Sequence, residues 1–336
     1  MKLGTPRDWY RRERAPAPLT RALLRPLSLI WANATARRLA RGARETVGAP
    51  VIVVGNLTMG GAGKTPVVRA ILAALRARGL QPCALSRGYG GSLKGPLMVD
   101  PSTSTAAEVG DEPLMLAADG PVAVGRDRAA AARLAVSQGA DVIVMDDGHQ
   151  NPSLKPALSL IVVDGETRDG EWPFGDGAVF PAGPMREPFA VGLSRADAVA
   201  IVLPEGLDRP DPELVALFGA LPVLIVRIVP AEAPPPGPLV GFAGVAKPWK
   251  VERALQMAGA DLKDFAPYPD HAPLSAADLA FLKDRAALFG AKLITTEKDY
   301  ARLSPAAREG IAVFSIRAAF EDEAALSALL DRTIRP

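Results

Sequence analysis

A glycine-rich loop followed by Lys-Thr, "MGGAGKT" at residues 59–65, separates an apolar run from a helical pattern. In this context backbone N–H groups of the loop can wrap phosphates, Lys64 can reach the β and γ oxygens, and Thr65 can bind Mg²⁺. A merely tight turn would not explain Lys-Thr at a helix start after a buried strand. The predicted phosphate-binding residues are Gly60, Gly61, Ala62, Gly63, Lys64 and Thr65.

Two adjacent carboxylates, Asp146 and Asp147, end the apolar run in "DVIVMDDGHQ". A carboxylate at the end of a strand can hold Mg²⁺ directly or through water, and two of them together are costly without a cation. The alternative is a helix N-cap directly after the strand. His149, two residues further on, is interpreted as a loop residue.

The segment "EVGDEP" (108–113) sets Asp111 and Glu112 at a loop-to-helix junction, with Pro113 suited to the first helical turn. An aspartate N-cap followed by a glutamate that the helix dipole favours accounts for the pattern as well as a catalytic role does. The residues of this segment therefore leave both interpretations open.

Two loops add candidates for ligand contact. "SRGYGG" (86–91) follows the second apolar run and offers Arg87 and Tyr89 at the carboxyl edge of the sheet, where open α/β sheets bind ligands. "YPDHAP" (268–273) sets Asp270 beside His271, and a histidine in such a loop is more often a surface residue than a catalytic one.

The elements that position these residues form an α/β pattern. Continuous apolar runs alternate with helical stretches, which predicts a mainly parallel sheet covered by helices on both faces. A proline-rich linker at 229–238 precedes a smaller repetition of the α/β theme. The predicted division is a phosphate-loop domain at 46–230 and a smaller α/β domain at 231–336. The predicted strands of the first domain lie at 51–55, 82–88, 121–125, 141–147, 158–164, 196–203 and 221–229.

Residues 1–45 carry a net charge of +8, whereas the whole chain of 336 residues carries +2. Apolar residues recur there at helical spacing with arginines between them, which is typical of a helix lying in an anionic membrane interface. The alternative is a helix packed on the core of the protein itself with a solvated basic face. Pro26 predicts a break or kink. The apolar side chains are Leu19, Leu23, Leu27, Ile30, Trp31 and Ala34.

Composition excludes some classes of protein. The apolar run in residues 1–45 is too short to span a membrane, and no small-residue cleavage site follows it, so neither a transmembrane helix nor a signal peptide is predicted there. Cys83 is the only cysteine, which excludes an intrachain disulfide and suits a reducing compartment. No nucleic acid is predicted as a partner.

The ordered combination of motifs resembles the tetraacyldisaccharide 4′-kinase family, the membrane-bound lipid A kinases of Gram-negative bacteria, over nearly the whole chain. Members of the family carry Thr or Ser where Thr58 replaces the first glycine of the usual loop. The motifs that carry the resemblance are "GNLTMGGAGKTP", "SRGYGG", "VGDEP", "DDGHQ", "FPAGPMREP", "YPDH" and "TTEKDYARL".

The resemblance implies a phosphate-loop fold that transfers the γ-phosphoryl group of ATP to the 4′-hydroxyl of tetraacyldisaccharide 1-phosphate, at the cytoplasmic face of the inner membrane. It implies Asp111 as the base facing that hydroxyl, with His271 as its partner. The other implied roles are Thr65, Glu112 and Asp147 around Mg²⁺; Asp146, Gln150 and Glu187 in support; Thr58 at the phosphates; and Thr296, Lys298 and Asp299 near the nucleotide base.

Departures from the family pattern fall at Asp176, where an asparagine is expected, and at Ala272, where a second histidine or an aromatic residue is common. Two competing classes of protein are a membrane-associated partitioning ATPase and a non-enzymatic membrane adaptor. Met59 stands where such ATPases carry their signature lysine, and "VGDEP" and "YPDH" also argue against that class. The adaptor would leave Asp111 and His271 without a role.

Overall fold

A computed structural model of the chain describes residues 7–12, 18–204, 206–270 and 274–334. The strands are β1 (Val51–Gly55), β2 (Pro82–Ser86), β3 (Leu97–Met98), β4 (Val122–Val124), β5 (Val142–Asp146), β6 (Leu158–Asp164), β7 (Ala198–Leu203), β8 (Val223–Pro230), β9 (Pro238–Ala243), β10 (Asp261–Pro267), β11 (Lys292–Thr296), β12 (Ile311–Phe314) and β13 (Ile316–Phe320). The helices are α1 (Pro18–Arg41), α2 (Lys64–Arg76), α3 (Ala106–Val109), α4 (Asp111–Ala117), α5 (Arg128–Ser137), α6 (Phe189–Leu193), α7 (Pro212–Ala216), α8 (Pro248–Met257), α9 (Ala276–Leu288), α10 (Glu297–Arg302) and α11 (Glu323–Ile334).

A nine-stranded sheet forms the centre of the molecule, in the order β13-β8-β7-β6-β1-β5-β2-β4-β3. Its seven inner strands are parallel, and the two edge strands β3 and β13 are antiparallel to their neighbours. Side chains of β1 alternate between layers, since Ile52 and Val54 belong to the core under α2 and Val51 and Val53 to the core under α5. The predicted mainly parallel sheet with helices on both faces is confirmed.

The smaller sheet has the order β10-β9-β11-β12 and is entirely parallel. The run at 311–317 splits at Ser315 into β12 and β13, and β13 pairs with β8 in the large sheet. Leu329 and Leu330 of α11 then join the core beneath β1. Residues 316–334, which the sequence analysis groups with the smaller domain, therefore lie with the large sheet, because β13 covers the backbone edge of β8.

The smaller sheet packs beside the phosphate loop. Lys247 and Lys250, at the start of α8, place their Nζ atoms 2.6 and 2.7 Å from the carboxylate of Asp164 at the end of β6. A Cβ atom added at Gly61 would lie 3.8 Å from the Cβ atom of Ala246. The segment after β9 therefore forms one wall of the region where the parallel strands of the large sheet end.

Helix α1 is continuous from residue 18 to 41, so a break at Pro26 is wrong, and a kink there stays a prediction. The missing N–H of Pro26 leaves one carbonyl, that of Ala22, without its helical donor, and both residues lie on the exposed side where water can replace it. Ser28, Thr35 and Leu39 form the buried side. Among the described residues, no helix is both long enough and apolar enough to cross a bilayer.

Candidate active site

The phosphate loop connects β1 to α2, which begins at Lys64. Gly60 and Gly63 have φ angles of 85° and 84°, and Gly63 occupies the N-cap position of α2. A side chain at either position would be strained, because the left-handed region is open mainly to glycine. These two glycines let the chain curl before the helix, so that the backbone N–H groups at the start of α2 remain available for an anion.

Thr58 stands where the usual phosphate loop has a glycine. Its backbone is part of a short antiparallel pairing. Thr58 forms a β-bridge with Met185, and the Met59 N–H donates to the Pro184 carbonyl at 2.7 Å. The Arg186 N–H in turn donates to the Leu57 carbonyl at 2.8 Å. Thr58 has no positive φ angle, so this position does not require glycine.

Lys64 lies between an amide and a carboxylate. Its Nζ atom is 3.2 Å from Oδ1 of Asn56 and 3.4 Å from Oδ1 of Asp147. The Nη1 atom of Arg186 donates to the same Asp147 oxygen at 2.7 Å. Burial opposes ionisation of Asp147, but the charges of Lys64 and Arg186 outweigh it and hold the pKa of this carboxyl well below its ordinary value.

Asp146, the last residue of β5, lies opposite Val54 of β1 in the sheet. Its Oδ1 atom is buried and has no hydrogen-bond partner among the described residues. Burial, with the negative charge of Glu112, raises the pKa of Asp146 to about 7. The helix N-cap interpretation of Asp146 and Asp147 is wrong, because β5 runs into a turn and no α-helix follows until α6.

The unpartnered oxygen of Asp146 fits a divalent cation. A buried carboxylate oxygen without a donor is costly, and Mg²⁺ prefers such hard oxygen ligands. Within the described ranges, no three His, Cys, Asp or Glu side chains are grouped so that they could hold a metal by themselves. Mg²⁺ takes one or two carboxylates and completes its shell with phosphates and water.

Asp111 and Glu112 open α4, and Gly110 with a φ angle of 94° occupies the N-cap position. Asp111 is therefore not the N-cap, and that interpretation is wrong. Its Oδ1 atom accepts the Glu112 N–H at 3.0 Å, and its Oδ2 atom accepts from Nε of Arg302 at 2.8 Å. The side chain is only 6% exposed, so Asp111 is held in one orientation beneath α10.

Lys298 connects the acidic residues of two separate segments. Its Nζ atom lies 3.3 Å from Oε1 of Glu112, 3.7 Å from Oδ1 of Asp270 and 4.0 Å from Oδ2 of Asp111. The "VGDEP" and "YPDH" motifs, 159 positions apart, thus meet at α10. His271 and Ala272 lie outside the described residues, so the pairing of Asp111 with His271 stays a prediction.

Thr296 and Asp299 build the start of α10. The Asp299 N–H donates to Oγ1 of Thr296 at 3.1 Å, and the Asp299 carboxylate accepts the Gly244 N–H at 3.0 Å and lies 2.9 Å from Nη1 of Arg302. These contacts fix the turn after β9 and the guanidinium that holds Asp111. Contact of Thr296, Lys298 and Asp299 with a nucleotide base stays a prediction.

A buried polar frame supports the phosphate loop from below. Gln150 donates to the Asn56 carbonyl at 3.0 Å and to Oε1 of Glu187 at 2.9 Å. Glu187 is buried and forms a two-point contact with Nη2 of Arg195 at 2.7 and 2.8 Å. Gln150 therefore joins the chain just before the loop, at Asn56, to the segment that contains Glu187.

His149 lies in the turn after β5, but it is a buried structural residue rather than an exposed one. Its Nδ1 atom is 2.9 Å from Oγ of Ser159, and its Nε2 atom is 2.9 Å from the Gly192 carbonyl. Burial and the charge of Arg195 lower the pKa of His149, which favours the neutral imidazole. The ring joins β6 to α6 behind the phosphate loop.

The "SRGYGG" loop lines a small cavity with a cationic wall. Arg128 lies close by, buried, and its pKa is lowered to about 10 by burial and by the charge of Arg87. Arginines gathered at the end of a parallel sheet suit an anionic ligand. The residues that line the cavity are Arg87, Gly88, Tyr89, Gly90, Gly91 and Arg126.

The site also contains three residues that were not predicted from the sequence, namely Asn56, Arg186 and Arg302. Arg186 stands inside the quoted "FPAGPMREP" motif, and Arg302 follows Lys298 by four residues, which puts both on one side of a helix. The motif that contains Arg186 and the spacing of Arg302 from Lys298 were the signals in the sequence that could have identified these two residues.

Known proteins resemble the chain along almost its whole length. The model of the LpxK family, tetraacyldisaccharide-1-P 4′-kinase, matches residues 20–335. The tetraacyldisaccharide 4′-kinase of Caulobacter vibrioides (strain NA1000 / CB15N) is 62% identical over 330 residues, covering 98% of each chain. That of Phenylobacterium zucineum (strain HLK1) is 64% identical over 330 residues, covering 98% of this chain and 99% of the relative.

A solved structure has the same fold. The crystal structure of LpxK from Aquifex aeolicus in complex with ATP superimposes with a TM-score of 0.74 at 25% identity, covering 94% of this chain and 99% of that one. The full-length agreement in sequence and fold argues against the partitioning ATPase and the adaptor. The chain belongs to the tetraacyldisaccharide-1-P 4′-kinase family.

Proposed function

We propose that this chain transfers the γ-phosphoryl group of ATP to the 4′-hydroxyl of tetraacyldisaccharide 1-phosphate. The observation that carries the proposal is the meeting of the phosphate loop with two acidic segments. Glu112 of α4 is close enough to raise the pKa of Asp146 beside the loop, and Asp111 directly precedes Glu112. These segments therefore bring together groups suited to phosphate, to a divalent cation and to a hydroxyl.

The residues of the phosphate loop bind and neutralise the donor. Lys64 can move from Asn56 and Asp147 to the β and γ oxygens, because both of its present partners keep another contact when it leaves. Thr65, Glu112 and Asp147 would hold Mg²⁺, and the free oxygen of Asp146 adds support for the carboxylate pair as its site. When bound, Mg²⁺ supplies charge neutralisation on the transferring group.

Asp111 is the proposed general base. A sugar hydroxyl is a poor nucleophile near neutral pH, so a carboxylate must accept its proton as the bond to phosphorus forms. The contact of Arg302 with one carboxylate oxygen fixes the direction of the other, which supports a positioned base. His271 partners Asp111 in this proposal, and Asp270 and Lys298 hold the adjoining loop against α4.

The cavity beside Arg87 and Tyr89 is the proposed contact region for the acceptor. Tyr89 is 57% exposed, and Arg87 and Arg126 line the same cavity. An exposed aromatic ring and guanidinium groups suit a phosphorylated sugar, because rings pack against sugar faces and guanidinium groups bind phosphate in two-point contacts.

Transfer of label from [γ-³²P]ATP tests the proposed function directly. With tetraacyldisaccharide 1-phosphate dispersed in detergent, the label should appear on the lipid, and without the lipid it should stay on ATP. Release of label as inorganic phosphate at the same rate with and without lipid would identify an ATPase instead. An acceptor already phosphorylated at the 4′ position is the matched control and should take no label.

We also propose a peripheral position at the cytoplasmic face of the inner membrane, reached through residues 1–45. Leu19, Leu23 and Ile30 lie on one side of α1 and are 81%, 79% and 65% exposed. Since this side is not packed on the body of the protein, it is free to enter a membrane interface, while the arginines meet anionic headgroups.

Leu23→Glu should weaken association with anionic vesicles by about tenfold or more, because about 1.5 kcal/mol or more is lost when a leucine no longer enters an apolar phase. Leu288→Glu is the matched control, since Leu288 lies on α9 and is also 79% exposed. Vesicle sedimentation measures both. Equal binding of the two variants would contradict the interfacial role of α1.

A further inference from the structure

The first part of the phosphate loop, residues 57–59, is held by a neighbouring segment of the chain. The helix that follows the loop, α2, does not hold it. Residues 57–59 and 184–186 form the short antiparallel pair described above, with backbone hydrogen bonds at both ends and a bridge at its centre. Any displacement of residues 184–186 therefore moves the loop backbone. We refer to these two segments as the loop clamp.

Arg186 ties the loop clamp to the acidic side of the site. Its Nε atom donates to the Thr58 carbonyl at 2.9 Å, and its Nη1 atom donates to Oδ1 of Asp147 at 2.7 Å and to Oε1 of Gln150 at 3.3 Å. One guanidinium thus sets the distance between the loop and the carboxylate pair. A guanidinium does this well, because its planar donors fix several partners at once.

Trp31 connects α1 to the same residue. Its indole Nε1–H donates to the Arg186 carbonyl at 3.0 Å, and its ring packs edge-on against Phe180 with centroids 4.9 Å apart. Trp31 is eight residues from Leu23 on α1 and is itself 42% exposed, between the exposed leucines and the buried side of the helix. The hydrogen bond is thus a direct contact between the proposed membrane helix and the backbone of the loop clamp.

A second contact runs in parallel. The hydroxyl of Tyr10 donates to the carbonyl of Met59, and the ring of Tyr10 lies 4.7 Å from Nζ of Lys247. Trp9, beside it, packs edge-on against the same Phe180 ring that Trp31 touches, with centroids 6.1 Å apart. The segment at 7–12, through Tyr10, and α1, through Trp31, therefore both contact the loop clamp.

We propose that Trp31 is a positioning residue through which α1 sets the geometry of the phosphate loop, acting by way of Arg186. This inference rests on the proposed nucleotide site. The consequence is that the affinity for ATP depends on α1 even when no membrane and no lipid acceptor are present. A helix that served only as an anchor would leave nucleotide affinity unchanged.

Trp31→Phe removes the indole donor but keeps an aromatic ring on Phe180. The Arg186 carbonyl then loses its donor, and a hydrogen bond of this kind contributes a factor of about 3 to 10 to an equilibrium constant. We expect the Kd for ATP, measured by calorimetry in detergent without acceptor, to rise about 3- to 10-fold. The melting temperature should match that of the unaltered protein, and vesicle sedimentation is measured in parallel.

Trp9→Phe is the matched control, because it alters the other tryptophan on Phe180 and should leave the Kd for ATP unchanged. Arg186→Ala supplies the second arm. If Trp31 acts through Arg186, adding Trp31→Phe to Arg186→Ala should raise the Kd by less than twofold further, although each change alone weakens binding.

Three results would overturn the inference. They are an unchanged Kd in Trp31→Phe, an equal rise in Trp9→Phe, and multiplicative effects in the double variant. Failure of the site assignment is distinguishable, because Lys64→Ala would then keep normal turnover whatever Trp31→Phe does. A loss of vesicle binding with normal ATP affinity would make Trp31 an anchor residue only.

Discussion

Lys64→Ala should lower kcat by about 10²-fold or more while the protein stays folded. The ammonium neutralises charge that develops on the transferring phosphoryl group, and interactions made mainly in the transition state appear in kcat. Folding should survive because Asp147 keeps its 2.7 Å contact with Arg186 after Lys64 is removed. Steady-state kinetics at saturating ATP and acceptor measure the effect, and thermal melting checks the fold.

Lys263→Ala is the control for loss of a lysine in an ion pair, since Lys263 pairs with Asp261 on β10 at 2.7 Å, away from the loop. Its kcat should stay within about twofold, as is usual for a surface pair. Near-normal turnover of Lys64→Ala would remove the phosphate loop from the mechanism and require another site for the donor.

The phosphate loop was predictable because its determinants are local. Gly60, Gly63 and the Lys-Thr pair lie within six residues, between a buried strand and an amphipathic helix, so spacing alone indicates both the turn and its ligand. The parallel sheet was predictable for a similar reason, since each strand is a continuous apolar run.

The contacts that complete the site were not predictable because they join distant parts of the chain. Arg186 reaches Thr58 over 128 positions, and Arg302 reaches Asp111 over 191. Periodicity describes a residue's own element and not the partner that tertiary folding brings to it. The same limit applies to β13, since nothing within the run 311–317 shows that its second half pairs with another sheet.

Asp176 illustrates what a departure from a family pattern can mean. The Asp176 side chain pairs with Arg21 of α1 and accepts the Ala178 N–H at 3.1 Å. An asparagine could accept the same backbone hydrogen bond but would lack the charge that Arg21 meets. The aspartate therefore fastens α1 to the loop before the clamp in this chain, which gives the departure a structural explanation.

Asp111→Asn should lower kcat by about 10²- to 10⁴-fold with little change in the apparent affinity for ATP. The amide cannot accept a proton from the acceptor hydroxyl, and general-base assistance is typically worth that factor. Arg302 keeps its 2.9 Å contact with Asp299, so no isolated charge is left. Asp119→Asn is the matched control, because Asp119 follows α4 and pairs with Arg69, and its kcat should stay near normal.

The pairing of Asp111 with His271 makes the sharper test. A histidine that only orients the carboxylate should matter less by itself than the base does, so His271→Ala should reduce kcat by less than Asp111→Asn. Because the two residues would act as one unit, the double variant should lose far less than the product of the single losses. Multiplicative losses would show that the two side chains work independently, and the dyad would have to be abandoned even if each proved essential. Asp270 and Lys298 would then hold the "YPDH" loop against α4 for a reason other than general-base catalysis.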